Sequence, residues 1–219
     1  WLLEVFSDSV FYGRQGLKIQ ERKEYEPPKY VSEEELDNYR WYHKYMWKRK
    51  LTPEVVELFD IGYDKNTNCL TFPVNDISGN CVFVARRSVS TKFFHYPEGT
   101  HKPVYGLDKC LNAKTVYVCE SFINALTLWT YGLKAVALIG TGDSYQYEIL
   151  KKTGIRKYYL CLDGDRAGRL GTNRFIKYVN NGSTKVVVPI PEGKDVNDLT
   201  KKQFMQLVTQ ADEHHNNIK

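Results

Sequence analysis

Acidic residues follow three of the four short apolar runs in the C-terminal half of the chain. They are Glu120 after residues 115–119, Asp163 and Asp165 after residues 157–162, and Asp195 beyond residues 185–188. If these runs are parallel strands, their carboxyl ends meet at one edge of a sheet, and the acids lie close together there. Carboxylate oxygens without a neighbouring His or Cys favour Mg²⁺ or Mn²⁺ over Zn²⁺. The spacing therefore predicts a divalent-metal site at this edge.

Each of these acids has a second explanation. A carboxylate after a strand often caps the first turn of the next helix, and Asp163-Gly164-Asp165 is also typical of a tight turn. Capping alone does not require three acidic segments to converge, so their recurrence favours a metal site. The fourth apolar run, residues 135–139, leads instead into the small residues Gly140-Thr141-Gly142 before a helix.

The apolar runs alternate with segments of helical period, which predicts an α/β domain whose parallel sheet is flanked by helices. The predicted helices cover residues 121–131, 144–152, 167–180 and about 200–209. We assign residues 114–209 to this domain and residues 210–219 to a polar tail.

A smaller α+β subdomain is predicted over residues 51–113. Thr52-Pro53 is typical of the start of a short helix. Residues 69–74 and 81–85 flank a turn-forming segment, which predicts a β-hairpin, and residues 91–96 form a third extended run. Antiparallel strands therefore precede the parallel sheet.

Residues 1–50 form a first segment of less regular pattern. Glu26-Pro27-Pro28-Lys29 indicates an extended linker. Ser32 followed by Glu35 is a capping box, which predicts one helix continuing through about Lys48.

Basic and aromatic residues are interleaved at residues 40–50, without any acid. The cations are Arg40, Lys44, Lys48, Arg49 and Lys50, and the rings are Trp41, Tyr42, Tyr45 and Trp47. This composition suits a strand of nucleic acid, because cations meet phosphates and rings stack on bases. An amphipathic helix with a solvated basic face explains the same residues equally well.

The composition is that of a globular protein of 219 residues, with 42% hydrophobic residues, 26% charged residues and a formal net charge of +5. No apolar run approaches the ~20 residues that a bilayer requires, so we expect no membrane partner. The five cysteines form no Cys-x-x-Cys pair and no signal-peptide pattern is visible, which favours the cytoplasm. The chain begins with Trp1 rather than Met, so we expect it to be part of a longer protein.

Three motifs of the C-terminal half together resemble the Toprim domain, which primases, topoisomerases and some nucleases share. They are Val118-Cys119-Glu120 with Asn124-Ala125-Leu126, Asp163 to Arg169, and Gly193 to Asp198. The string Asp-Gly-Asp-Arg-Ala-Gly-Arg resembles the DnaG-type primase branch. Four upstream segments are similar to segments of that branch and occur in the same order: Leu51 to Tyr63, Phe72 to Arg87, Lys92 to Glu98 and His101 to Leu107. The resemblance therefore covers about residues 51–208.

The resemblance implies a function and a set of site residues. The chain would be the RNA-polymerase catalytic core of a DNA primase, making short RNA primers on single-stranded DNA from ribonucleoside triphosphates, with a replicative helicase as partner. The metal ligands, for two Mg²⁺ or Mn²⁺ ions, would be Glu120, Asp163, Asp165, Asp195 and Asn197. Glu120 is alternatively a proton acceptor. Nucleotide or template would be bound by Arg87, Lys92, Lys102 and Lys194.

The sequence departs from the family pattern at Asn124 and Asn197, where the family has Asp, and at His95, where it has Asn. The two Asn residues remove two negative charges, so we expect the second ion to bind more weakly. These departures favour a phage or plasmid origin. Two other functions remain open: a Toprim-type metal-dependent nuclease, and a nucleic-acid-binding module with a weakened metal site.

Overall fold

The computed structural model describes residues 29–97 and 101–217. The predicted linker at residues 26–29, apart from Lys29, and the rest of residues 1–28 lie outside this range. Three short helices come first, followed by an antiparallel sheet of order β1-β2-β3-β4. The elements are α1 Glu33–Asp37, α2 Lys44–Lys48, α3 Pro53–Leu58, β1 Gly62–Asp64, β2 Cys69–Asn75, β3 Cys81–Ser88 and β4 Phe94–His95. The predicted hairpin is β2–β3, paired from Cys69 with Ser88 to Asn75 with Cys81.

The prediction of a single helix from Ser32 to about Lys48 is wrong, because residues 38–43 between α1 and α2 are not helical. The Ser32 hydroxyl accepts from the backbone N–H of Glu35, which is one of the two bonds of the predicted capping box. Beyond α1, the carbonyl of Tyr39 accepts from the backbone N–H of Tyr63 at 2.7 Å. A Cβ at Gly62 would lie 2.0 Å from that same carbonyl. The close approach to β1 therefore takes the Tyr39 carbonyl out of helical bonding.

The second sheet is parallel, with strand order β6-β5-β7-β8. Its elements are β5 Thr115–Cys119, α4 Phe122–Thr130, β6 Ala135–Ala137, α5 Ser144–Lys151, β7 Lys157–Leu160, α6 Arg166–Tyr178, β8 Thr184–Val187, a 3₁₀ helix Val196–Asp198 and α7 Lys201–Asn217. The predicted α/β architecture is confirmed.

Apolar side chains cover both faces of this sheet. Tyr117 and Cys119 of β5 pack in the cluster that contains Phe204 of α7. Val116 and Val118, which alternate with them, pack in the cluster that contains Phe175 of α6. Strands buried on both faces explain why the sequence shows continuous apolar runs rather than alternation.

The final helix is longer than the sequence predicted. We expected it to end near residue 209 and to be followed by a polar tail over 210–219, but α7 continues to Asn217. Ala211 is buried, and the Asp212 carboxylate accepts from the Tyr159 hydroxyl and the Lys157 ammonium, both at 2.7 Å. These contacts with β7 hold the added turns, so the tail prediction is wrong for residues 210–217.

Phe122 connects the two sheets at the start of α4. Its ring stacks on Phe72 of β2 and on Phe94 of β4, with ring centroids 5.2 Å apart in both pairs, and meets Tyr105 edge-on at 4.6 Å. All five cysteines are buried and free. Within the described residues, no helix has the length and apolar character needed to cross a membrane.

Candidate metal-binding active site

Glu120 stands where β5 ends and α4 begins. Its carbonyl accepts from the backbone N–H of Gly140 at 2.9 Å, which ties it to the end of the neighbouring strand β6. The Ser121 hydroxyl caps α4 by accepting from the backbone N–H of Asn124. The Phe122 ring is fixed between two strands of the other sheet. Glu120 is therefore positioned by both halves of the chain.

A pocket of about 240 Å³ opens beside Glu120. Asp163, which follows β7, lies in the same pocket, because β5 and β7 are adjacent parallel strands. Residues 94–96 close the other side with the rings of Phe94 and Tyr96. The carboxyl edge of the parallel sheet thus faces β4, and two of the predicted acids share the cavity between them.

The carboxylates in this pocket are poorly compensated. Burial, followed by the nearby charge of Glu120 and of the other acids, raises the pKa of Asp163 to about 7. The pKa of Glu120 is also raised, first by burial and then by Asp165. Glu120 Oε2 is buried and has no hydrogen-bond partner. Both groups therefore resist ionisation while no cation is beside them.

Asp165 and Asp195 cap helices, as the alternative explanation predicted. The Asp165 carboxylate accepts from the backbone N–H of Gly168 at 2.8 Å. The Asp195 carboxylate accepts from the backbone N–H of Asp198 at 3.1 Å, and burial followed by Asp198 raises its pKa. The charges of both also raise the pKa of Asp163, so these caps lie near enough to act on the pocket.

Asn124 and Asn197 link the acidic segments to one another. The Asn124 amide donates to Asp163 Oδ1 at 3.0 Å, and its oxygen accepts from the backbone N–H of Asn197 at 3.1 Å. The Asn197 amide donates to the Thr127 hydroxyl and to the Arg49 carbonyl. Asn197, which the sequence predicts as a metal ligand, is buried. Its amide nitrogen is engaged in hydrogen bonds that join its own loop to α4 and to the residue after α2.

Over residues 29–97 and 101–217, no three His, Cys, Asp or Glu side chains stand in an arrangement that could hold a metal ion. The donor set nevertheless fits a hard cation. Oxygen atoms are the ligands that Mg²⁺ prefers, Glu120 Oε2 lacks a partner, and the pKa of Asp163 is raised by like charges. A divalent ion bound with water or phosphate oxygens would relieve this repulsion.

The predicted basic residues lie in different surroundings. The Lys102 ammonium donates to the Tyr96 hydroxyl at 2.8 Å and lies beside residues 139–143 at the end of β6. Arg87 pairs in register with Phe94 and donates to the Tyr45 hydroxyl. Lys92 and Lys194 are exposed. The Lys102 side chain donates to a residue that lines the pocket of Glu120 and Asp163, whereas Arg87 meets that lining through its strand pairing with Phe94.

Sequence reasoning did not assign Arg49 and Lys50 to this site. Arg49 lowers the pKa of Asp195, and its buried Nε has no hydrogen-bond partner. The Lys50 ammonium donates to the Asn197 carbonyl at 2.6 Å. The basic run at residues 40–50 was visible in the sequence, but nothing in it indicated contact with a loop almost 150 positions away.

Comparison with known proteins supports the resemblance. The family described as Toprim-like matches residues 117–200. A DNA primase of Haemophilus influenzae is 24% identical over 77% of this chain and 38% of its own length, so the chain spans about a third of the curated primases that it matches.

Two solved structures have the same fold. The DnaG primase catalytic domain bound to single-stranded DNA gives a TM-score of 0.64 at 22% identity, over 76% of this chain and 70% of that one. The primase fragment of the bacteriophage T7 primase-helicase gives a TM-score of 0.61 at 19% identity, over 84% of this chain and 82% of that one. Residues 117–200 are therefore similar to the Toprim-like family, and the chain has the fold of the DnaG primase catalytic core.

Proposed function

We propose that this chain is the catalytic core of a primase, which synthesises short RNA primers on single-stranded DNA by metal-dependent nucleotidyl transfer. The observation that carries the proposal is the pocket shared by Glu120 and Asp163 at the ends of two adjacent parallel strands. Both carboxyl groups have a raised pKa there, because of burial and of nearby carboxylates. Uncompensated acids of this kind are typical of functional sites.

Glu120 and Asp163 would hold a first Mg²⁺ or Mn²⁺ together with water or phosphate oxygens, with the charge of Asp165 close by, and Asp195 would contribute to a second. Such ions would stabilise the charge that develops on the attacking 3′-hydroxyl oxygen and on the leaving pyrophosphate oxygen when the hydroxyl attacks the α-phosphate. The chain's own residues keep the acids in place: Asn124 holds Asp163 by a hydrogen bond, and Phe122 fixes the turn that follows Glu120.

Basic residues would receive the nucleoside triphosphate and the template. Lys102 lies beside the Gly140–Gly142 loop at the pocket, where a compact ammonium suits a phosphate. Arg87, whose guanidinium donates to the Tyr45 hydroxyl, would bind nucleotide or template beside β4. Lys92 and Lys194 are exposed and would contact the more distant phosphates.

The partners follow from the relatives. Because a DnaG core is described bound to single-stranded DNA and another relative is part of a primase-helicase, we propose a single-stranded DNA template, ribonucleoside triphosphates and a replicative helicase. We propose the cytoplasm as the location, since DNA replication takes place there in bacteria.

Template-dependent incorporation of labelled ribonucleotides in Mg²⁺ and in Mn²⁺ tests the proposal. We expect Asp163→Asn to reduce incorporation by about a hundredfold or more, because it removes a charge from the site. Glu213→Gln, an exposed change on α7, should leave incorporation unchanged. Equal incorporation by Asp163→Asn and the native chain would refute the proposal, and metal-dependent nicking of plasmid without primer synthesis would indicate a nuclease.

A second candidate is a nucleic-acid-binding module with a weakened metal site. The bond from the Asn124 amide to Asp163 favours it, since a neutral donor occupies a position where the related family has an acid. Tight binding of single-stranded DNA without incorporation in Mn²⁺, under conditions in which a DnaG primase is active, would select this candidate.

A further inference from the structure

Three large aromatic side chains are exposed around α2. Trp41, Tyr42 and Trp47 are 50%, 61% and 42% exposed, and we call them the α2 aromatic patch. The rings of Tyr42 and Trp47 are 5.8 Å apart. Exposed clusters of large rings indicate an interaction surface.

The patch is not the core-facing side of a helix. The residue of α2 that fills the core is Met46, which is fully buried, and Tyr45 packs against the same apolar cluster. The packing requirement of this segment is therefore met without the three exposed rings.

Cations without acidic partners surround the patch. Within the part of the chain that the structure describes, Lys44 and Lys48 are exposed and form no ion pair. The Lys65 ammonium lies 3.1 Å from the centre of the Trp41 ring. Among nearby acids, Glu57 accepts from the Tyr42 hydroxyl and Asp60 pairs with Arg40. The three lysines are therefore available to an external anion.

The patch continues toward the candidate active site. Only Lys48 separates Trp47 from Arg49 and Lys50 along the chain, and the Lys50 ammonium contacts the Asn197 carbonyl at 2.6 Å. α2 has five residues, about 7.5 Å of helix, so the rings stand within a few residues of the contact between Lys50 and the loop that contains Asn197.

We propose that the α2 aromatic patch binds single-stranded nucleic acid outside the catalytic pocket, with bases stacked on Trp41, Tyr42 and Trp47 and phosphates beside Lys44, Lys48 and Lys65. Rings stack on any base, and lysines neutralise phosphates without reading sequence. The surface therefore suits a strand held without sequence preference. Identifying that strand as the template depends on the proposed function, whereas the binding itself does not.

Anisotropy titration of a labelled oligo(dT), without metal or nucleotide, tests this surface. We expect Trp47→Ala to weaken binding about tenfold, the loss of one stacked base, whereas Trp47→Phe keeps a ring and stays within about threefold of the native chain. Leu170→Ala, at an exposed apolar position on α6, should not change the affinity. Thermal unfolding of each variant confirms that it is folded.

Equal affinity of Trp47→Ala and the native chain would overturn the proposal. Binding that does not weaken between 50 and 200 mM salt would also overturn it, because three lysines on the phosphates of a single strand should lose about twentyfold in affinity over that range. Asp163→Asn separates this proposal from the catalytic one, because it should abolish primer synthesis and leave oligo(dT) binding unchanged. Loss of binding in Trp47→Ala together with full synthesis in Asp163→Asn would refute the catalytic function alone.

Discussion

The side-chain amide of Asn124 donates a hydrogen bond of 3.0 Å to the carboxylate of Asp163. The same amide accepts from the backbone of Asn197 at 3.1 Å. One fully buried side chain of α4 therefore positions both the acid that follows β7 and the loop that contains Asp195. Because a carboxylate at position 124 could accept hydrogen bonds but not donate one when ionised, the identity of this residue matters for charge as well as for packing.

Asn124→Asp should destabilise the metal-free protein by about 1–3 kcal/mol, because it replaces a donor to Asp163 with a second buried charge. Urea denaturation in the presence of a chelator measures this loss. Mg²⁺ should restore part of the stability, since a cation would bridge the two acids. Asn173→Asp on the exposed face of α6 is the matched control, and an equal loss in both variants would contradict the prediction.

The stability of the metal-free protein should decrease with rising pH. The folded-state pKa of Asp163, about 7, lies above the ordinary value of 3.8, so the folded protein holds this proton more tightly than the unfolded chain does. The stability that the protonated form contributes is lost as pH rises through 7. In Asp163→Asn, the free energy of unfolding should fall by on the order of 1 kcal/mol less between pH 5 and 8 than it does in the native chain. The difference is modest because solvent screens a partly exposed group. Urea denaturation at intervals across this range gives the comparison, and parallel pH profiles for the variant and the native chain would contradict it.

Divalent-cation affinity should increase with pH. A proton on Asp163 competes with the ion, so the dissociation constant for Mn²⁺ should rise up to about tenfold for each pH unit below 7. Calorimetric titration with Mn²⁺ at pH 6, 7 and 8 measures this dependence. The same affinity at pH 6 and pH 8 would show that Asp163 is not a ligand.

Gly164→Ala should distort the acidic loop. A Cβ at this position would lie 2.0 Å from the Pro191 carbonyl oxygen and 2.7 Å from that of Ile190, so the backbone before Asp195 would have to move. We expect a loss of about 2 kcal/mol or more in stability, together with loss of primer synthesis. Gly154→Ala has nothing within 4 Å of the added methyl group and should stay within about 0.5 kcal/mol of the native chain.

Much of the architecture could be predicted from the sequence, because its periodicity reflects burial. The runs at residues 116–119 and 158–162 are apolar throughout because both faces of the parallel sheet are covered. The break after α1 could not be predicted, because it depends on the contact of Tyr39 with Gly62. The last turns of α7 were missed for a similar reason, since Asp212 is held by β7.

The site was predictable in part. Topology places Glu120 and Asp163 in one pocket, as expected for acids that follow adjacent parallel strands. The metal-binding roles of these residues and of Asp165, Asp195 and Asn197 stay predictions. Arg49 reaches Asp195 from the other half of the chain, and such a contact leaves no periodic signal in a single sequence.

The Phe122 ring, stacked between the two sheets, couples their unfolding. The apolar cluster around it includes Phe72 and Val56 from one half and Leu126 and Phe204 from the other. Either half alone would expose this apolar cluster to water. We therefore expect the two halves to unfold together, in a single calorimetric transition. Proteolytic cleavage between residues 106 and 113 should then unfold both sheets, and neither half should remain as a folded fragment.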